Sequence, residues 1–484
     1  MLFKERQKGH AQAPKNRSAM KVASQAELEE YLSAPGDNSP GVIYFHVPFC
    51  DNICSFCAMN RTKKDTDLSW YADFLVSEIE KYAHFAYFKN KEIASIYFGG
   101  GTPTALSTPQ ISQVLEAINK NFKIAKDVEY SCESTLHNLS EAKLDAMSAL
   151  GVNRYSIGIQ SFNDYAREYF KRVHDRAGAI NAIKRLRSRF PGQLCIDIIY
   201  NYPGQSIEDV LSDAKLCAEL GIDSVSFYSL MYFESSTLFA KIDTSYYDQE
   251  HDKALHDAFL ATMQENGFNL LEHSKLIKND RYRYIRMSHA GADILPLGQG
   301  AGGGVGPFSI FNVQKDMKMI AKRSETEREL SRLCNLFQYQ KVDLEIFAKR
   351  LKPATFSLLL DFLKRCEKEN YLKLHENSYE IDFNGVFWGN SIASGAINII
   401  KDDFLETKID EKDEKAQMPE AAKEALKEAA KGGSIPQEMI RKMLEAVKKG
   451  VMPKEGLDMI KLIAPGVLKG FEKDLEEIES MKKD

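Results

Sequence analysis

Short runs rich in β-branched and aromatic residues alternate along the chain with longer stretches whose apolar residues recur at helical spacing. The runs are GVIYFHV (41–47), ASIYF (94–98), VEYSCE (128–133), RYSIGI (154–159), LCIDII (194–199) and DSVSFYSL (223–230). Between them lie amphipathic stretches at 69–85, 108–122, 140–150 and 206–220, the last opening on Ser206 as an N-cap. Parallel strands need a crossover connection, so six such alternations predict an α/β fold with a parallel sheet covered by helices.

The pattern changes further on. Residues 251–324 read as an appended α/β segment that includes the Gly-rich loop LGQGAGGGVG (297–306). Residues 325–400 carry two helical patterns, DLEIFAKRL (343–351) and PATFSLLLDFLKRCEKEN (353–370). YLKLHENSYEIDF (371–383) follows as a hairpin turning at Glu376–Asn377. Helix, helix, hairpin is the order of a winged-helix-like domain. The expected organisation is thus an N-terminal extension (1–40), a main α/β domain (41–250), the appended segment (251–324) and the winged-helix-like domain (325–400). A charge-mixed linker (401–417) and a helical C-terminal extension (418–484) complete it. In the extension Ile440, Met443, Leu444 and Val447 form an apolar stripe that something must cover. With no histidine or cysteine there, a lid or docking role is expected of it rather than a part in chemistry.

Composition narrows the classes. The 484 residues are 44% hydrophobic and 27% charged, ordinary for a globular protein, with a formal charge of -5. That balance argues against broad electrostatic binding to nucleic acid. No run approaches the roughly 18 apolar residues that span a bilayer, and the basic N-terminus lacks the apolar core of a secretory signal. A cytoplasmic protein is expected.

Eight cysteines are too few for a disulfide scaffold in a chain this long, yet three fall within PFCDNICSFC, as Cys50, Cys54 and Cys57. The other five, Cys132, Cys195, Cys217, Cys334 and Cys366, read as buried small hydrophobes. A structural zinc site or an ordinary ferredoxin cluster takes four protein ligands. Three thiolates on a [4Fe-4S] cluster leave one iron open, and the amino and carboxylate groups of S-adenosylmethionine (SAM) can chelate it. Reductive cleavage of the sulfonium then gives methionine and a 5'-deoxyadenosyl radical. The loop follows the first strand, which places it at the C-terminal mouth of the sheet, where α/β folds carry their chemistry.

Other motifs point to the same mouth. Gly99, Gly100 and Gly101 in IYFGGGTPT would alone make a tight turn; one strand after the cysteine loop they suit a cofactor's approach to the backbone. Glu133 and Gln160 end the third and fourth strands, and Asp197 lies within the fifth. A carboxylate in CIDIIY needs a partner, either a ligand or a structural cation. Arg172 could reach a ligand carboxylate. His46, His137, His174 and His289 read as structural or solvated histidines, with proton donation or haem contact as the alternatives.

YFHVPFCDNICSFC, YFGGGTPT, GVNRYSIGIQSF and IDIIYNYPGQS, in that order, resemble the radical SAM group that contains anaerobic coproporphyrinogen dehydrogenase, over about residues 40–400. The resemblance implies an open (β/α)6 partial barrel and two SAM molecules, contacted by Tyr44, Phe56, Gly100, Gly101, Thr102, Glu133, Gln160, Arg172 and Asp197. Three activities occur in the group: oxidative decarboxylation of coproporphyrinogen III, haem chaperoning, and anaerobic haem degradation by a methyltransferase of the anaerobilin synthase type. The dehydrogenases carry a fourth cysteine two residues past the third, where this chain has Met59. ILPLGQGAGGGVG and FYSLMYFESSTLF resemble the haem-utilisation branch. The resemblance therefore implies a haem-opening methyltransferase that releases iron, with haem or a related tetrapyrrole as ligand and a low-potential donor such as flavodoxin.

Overall fold

Six strands are met in space in the order in which they occur along the chain: β1 (Gly41–Val47), β2 (Glu92–Gly100), β3 (Lys123–Ser134), β4 (Arg154–Gln160), β5 (Gln193–Tyr200) and β6 (Ser224–Ser229). Each pairs with the next in parallel. The computed structural model describes residues 2–11, 21–239, 246–315 and 317–404, and Met1–Leu405 belong to one compact unit. The expected linker beyond residue 404 and the whole helical extension lie outside the described residues.

The crossovers are made by α1 (Ser69–Ala83), α2 (Thr108–Asn121), α3 (Glu141–Ala149), α4 (Arg176–Arg189) and α5 (Ile207–Glu219). Their starts are written in the chain. Ser107 with Gln110, and Ser206 with Asp209, form reciprocal capping boxes that satisfy otherwise orphaned backbone donors. Strand residues facing the helices are apolar and interlock: Phe45 stacks on Phe98 at 4.5 Å between ring centroids. Both faces of β1 are covered, as parallel sheets require, and only Tyr44 on it is partly accessible.

The sheet does not close. Among the described residues it has thirteen strands in one open order. After α6 (Gln249–Glu265), β7 (Asn269–Glu272) and β8 (Lys275–Ile277) add antiparallel strands beyond β6. On the opposite edge β9 (Ile294–Leu297) runs parallel to β1, followed by antiparallel β10 (Gly302–Val305), β11 (Phe308–Gln314) and β12 (Met317–Lys322). The segment 251–324 thus lengthens both edges of the main sheet instead of forming a layer of its own. Strands of three and four residues show too little alternation to reveal which edge they join.

The stretch 341–400 holds a three-stranded antiparallel sheet made by Lys341–Asp343, Leu372–Leu374 and Ser378–Ile381. The hairpin closes where expected, with His375 N donating to Ser378 O at 2.8 Å. The first helical pattern is shorter than its periodicity suggests, Glu345–Ala348, because Asp343 belongs to a strand and its carboxylate accepts from Glu345 N at 2.8 Å. The second runs over Pro353–Lys368, and Gly389–Ile400 packs against it. Among the described residues no helix is long and apolar enough to cross a membrane.

Candidate active site

Parallel strands end on one side of their sheet, so the loops that leave β1 to β5 converge. They line a single cavity with Cys50, Cys54, Phe56 and Cys57 after β1, and Gly100, Gly101 and Thr102 at the end of β2. Glu133 of β3, Gln160 of β4, Arg172 after β4 and Asp197 of β5 complete it. Gly99 lies outside that lining, and of the side chains expected there Tyr44 alone does not line the cavity. It lies deeper, its ring stacked with those of Tyr97 and Tyr284 and its hydroxyl 3.0 Å from His46 Nδ1.

The cysteine loop is tied at both ends. Thr62 N donates to Pro48 O at 2.6 Å and Lys64 N to Cys50 O at 2.8 Å, closing the loop on itself. Asn52 Nδ2 donates to Lys171 O at 2.7 Å, and Ser55 Oγ to Tyr169 O at 2.6 Å, joining it to the segment after β4. Phe56 packs edge-on against Phe170 at 5.3 Å. The three thiols therefore face one volume from a braced backbone.

Their surroundings suit an iron–sulfur cluster. Arg172 Nη1 lies 2.8 Å from Cys54 Sγ, and Thr102 Oγ1 lies 3.4 Å from Cys50 Sγ. A Cβ at Gly101 would come within 2.9 Å of Cys50 Sγ, so only glycine leaves the sulfur its space. Burial pushes the Cys50 thiol up to about 11, against the Thr102 hydroxyl, and also raises Cys57. Thiolates held there need positive charge beside them, which bound iron supplies and which Arg61 and Arg172 reinforce. Among the described residues no three His, Cys, Asp or Glu side chains are grouped to hold a single metal ion. Three thiols around a wider cavity fit a cluster, which holds its ligands farther apart than one ion does.

The carboxylates stand opposite. Glu133 accepts from Tyr97 Oη at 2.8 Å and Gly100 N at 3.2 Å. Burial, with Asp197 nearby, nonetheless pushes it up to about 7. Burial likewise raises Asp197, while Lys275 and the Ser226 hydroxyl oppose the rise. Gln160 holds φ at 72°, in the left-handed region, where β4 turns into the loop; such strain collects at binding sites.

Of the histidines weighed from the sequence, His137 lines the cavity, and sequence reasoning missed other lining residues, among them Arg61, Ser156 and Val173. Ser156 had a signal, since it shares a strand face with Gly158 by twofold alternation. His46 is buried between Tyr44 and Asn60 O, its Nε2 3.0 Å from that carbonyl. His174 and His289 do not line the cavity. His289 pairs with Tyr339 at 3.1 Å and Glu272 at 3.3 Å, and burial pushes it down to about 4. The Gly-rich loop returns to the same end of the sheet: a Cβ at Gly298 would meet His46 O at 2.4 Å.

Residues 44–217 match the Radical SAM superfamily. Anaerobilin synthase of Escherichia coli O157:H7 is 29% identical over 290 residues, 59% of this chain and 65% of that protein. Heme chaperone HemW of Lactococcus lactis subsp. lactis (strain IL1403) is 29% identical over 238 residues, 48% of this chain and 61% of that protein. Oxygen-independent coproporphyrinogen III oxidase of Escherichia coli (strain K12) is 30% identical over 252 residues, 52% of each chain. The chain spans less than two thirds of the length of each of these three relatives. A solved structure of coproporphyrinogen III oxidase (HemN) from Escherichia coli, a Radical SAM enzyme, superposes with a TM-score of 0.68 at 20% identity. It covers 82% of this chain and 97% of its own, a likeness of fold. The family implies a [4Fe-4S] cluster and SAM, and the cysteine triplet fits that cluster. With this fold and this site, residues 44–217 form a radical SAM domain, and the proteins it is related to include anaerobilin synthase, HemW and HemN-like oxygen-independent coproporphyrinogen oxidase.

Proposed function

We propose that the protein methylates haem and opens its macrocycle anaerobically, giving a linear tetrapyrrole and free iron. The observation that carries this reading is Met59. It lines the cavity and is 54% exposed at the position where the dehydrogenases of the group carry a cysteine. A thioether cannot serve as an acid or a thiolate, so chemistry that needs a thiol there is closed to this chain. Val173, 57% exposed on the same rim, gives with Met59 an apolar border suited to the face of a planar macrocycle. The match to anaerobilin synthase agrees with this reading.

In it, Cys50, Cys54 and Cys57 hold the cluster, which when bound supplies the electron that cleaves SAM. Phe56, Gly100, Gly101, Thr102, Glu133, Gln160, Arg172 and Asp197 hold two SAM molecules, with Tyr44 supporting them from beneath. A low-potential donor such as flavodoxin delivers electrons, and the reaction belongs in the cytoplasm. The protein's own work is to bind, to orient and to exclude water.

The test is anaerobic incubation of the reconstituted protein with haem, SAM and a reductant. Loss of the Soret band with formation of a methylated linear tetrapyrrole is the expected result. Turnover of coproporphyrinogen III would select the decarboxylase reading instead, and haem transfer without turnover the chaperone.

A further inference from the structure

Beside Asp197 the sheet carries a charge that nothing in the motifs announces. β5, β6 and β8 lie side by side, and their registers set Asp197 opposite Ser226 and Ser226 opposite Lys275. Residues paired in register share a face of the sheet, so carboxyl, hydroxyl and ammonium form one row across three strands. Lys275 is only 2% exposed. Its Nζ lies 2.6 Å from Cys195 Sγ and 3.1 Å from Ser226 Oγ, and 4.6 Å from the centre of the Tyr282 ring. Among the described residues no carboxylate makes a direct ion pair with it, an arrangement that is costly for a buried cation.

The other cations near Asp197 are committed elsewhere. Arg154 grips Asp280 through two bonds of 2.9 and 2.8 Å. Arg172 is bound to Cys54 Sγ and to Gly158 O. That leaves Lys275, whose influence Asp197 shares with Glu272 and Asp280.

We propose that Lys275 is a positioning residue for SAM: its ammonium, in register with Asp197 across Ser226, holds that side chain as a carboxylate able to accept hydrogen bonds from the cofactor. The inference rests on the reading that Asp197 contacts SAM. Burial works against the carboxylate, and Lys275 is the largest influence opposing burial, ahead of the Ser226 hydroxyl, Arg154 and Arg172. The remaining titratable groups facing Asp197 are Glu133 of β3 and Tyr228 of β6, and those facing Lys275 are Cys195 of β5, Glu272 of β7, Asp280 and Tyr282. Removing the ammonium lets Asp197 take up a proton at higher pH. Its acceptor capacity is then lost at neutral pH and regained as pH rises.

The experiment measures equilibrium binding of SAM to the oxidised, cluster-loaded protein from about pH 6 to about pH 9. The variants are Lys275→Met, Lys275→Arg, Asp197→Asn and the Met/Asn double variant. The quantity read is the ratio of each variant's affinity to the wild type's at each pH, because Glu133, with its value near 7, titrates in the same window in all of them. Lys275→Met should bind more weakly near pH 7, by at most the roughly tenfold that a tenfold gain in the proton affinity of Asp197 allows, and recover at high pH. Lys275→Arg should keep most of the affinity, and Lys275→Met should cost nothing further once Asp197 is Asn. If Lys275→Met does not fold, Lys275→Gln carries the same expectations. A Lys275→Met ratio that is flat with pH, whether at unity or below it, overturns the inference. If Asp197→Asn weakens SAM binding and Lys275→Met does not, the role of Lys275 alone falls. If Asp197→Asn binds like the wild type, the SAM contact of Asp197 falls with it.

Discussion

The two faces of the parallel sheet obey different rules. On the helix side Phe45 meets Phe98 and Phe227 meets Phe259, with ring centroids 4.5 and 5.1 Å apart. Any side chains of the right volume could make such contacts, since packing depends on shape more than on identity. On the inner face, Glu133 needs Tyr97 and Gly100, Asp197 needs Lys275, and Arg154 needs Asp280. There each polar group is tolerable only beside its own partner, because an unpaired buried charge costs more than most apolar contacts return. Stability on one side is spread over many contacts; on the other it is tied to named pairs, and the chemistry shares their space.

The sharpest break between the faces is at the cysteines. Replacing Cys50, Cys54 or Cys57 with Ala should abolish the cluster's visible absorbance and reduce SAM cleavage to background, while the melting temperature of the apoprotein stays close to the wild type's. The loop is braced through Asn52, Ser55 and Thr62, none of which needs the sulfurs. A cluster retained in Cys54→Ala would refute the ligand assignment.

Next in size are two variants that separate charge from volume. Asp280→Asn leaves Arg154, fully buried, without its counter-charge and should cost about 3–5 kcal/mol in urea unfolding. Phe227→Ala on the helix side should cost a similar amount, about 3–5 kcal/mol, through the cavity it leaves. The two should part in their pH dependence. Asp280 sits well below its ordinary value because of Arg154, so that pair stabilises the protein above about pH 4 and is lost on further acidification. The Asp280→Asn deficit should therefore shrink in acid, and the Phe227→Ala deficit should not.

What the chain discloses about itself follows the same division. The six parallel strands and their crossovers are legible because β-branched runs and helical periodicity are local signals. They differ from the observed elements by a few residues at the ends, β3 starting at Lys123 rather than 128. The cysteine triplet is legible because three ligands fall within one loop. Arg154 with Asp280, and Lys275 with Asp197, are not: their partners lie 126 and 78 residues away, and no local pattern encodes a register between strands. The edge strands β7 to β10 escape for another reason, since three or four residues do not establish a period.

The apolar side has an exception whose size is smaller. His273, 5% exposed, packs where a Cβ at Gly389 would touch its ring at 2.3 Å. Burial pushes it from its ordinary 6.5 down to about 3. Between those values the unfolded chain binds a proton that the folded chain refuses, so the histidine's contribution falls as pH falls through that window. His273→Phe removes the titration. Its stability relative to the wild type should improve by about 2 kcal/mol between pH 7.5 and pH 5, read from urea unfolding at both. An unchanged difference would show that His273 takes up its proton in the fold.

The smallest expected effect tests whether the two sides are separable at all. Ser206 is the N-cap of α5, in the loop that leaves the C-terminal end of β5. Its Oγ accepts from Asp209 N at 3.2 Å, and Asp209 Oδ2 accepts from Ser206 N at 2.9 Å. Ser206→Ala removes the first of these and weakens the restraint on the second, at a cost of about 1 kcal/mol, the usual worth of an N-cap. Asp209 also accepts from Asn163 Nδ2 at 2.8 Å, so the carboxylate keeps a partner and the damage should stay within the first turn of the helix. Urea unfolding should register the loss, and the affinity of the cluster-loaded protein for SAM should not change. If that affinity drops with the cap, the mouth draws its geometry from the helix layer, and the two faces of the sheet must be treated as one coupled structure.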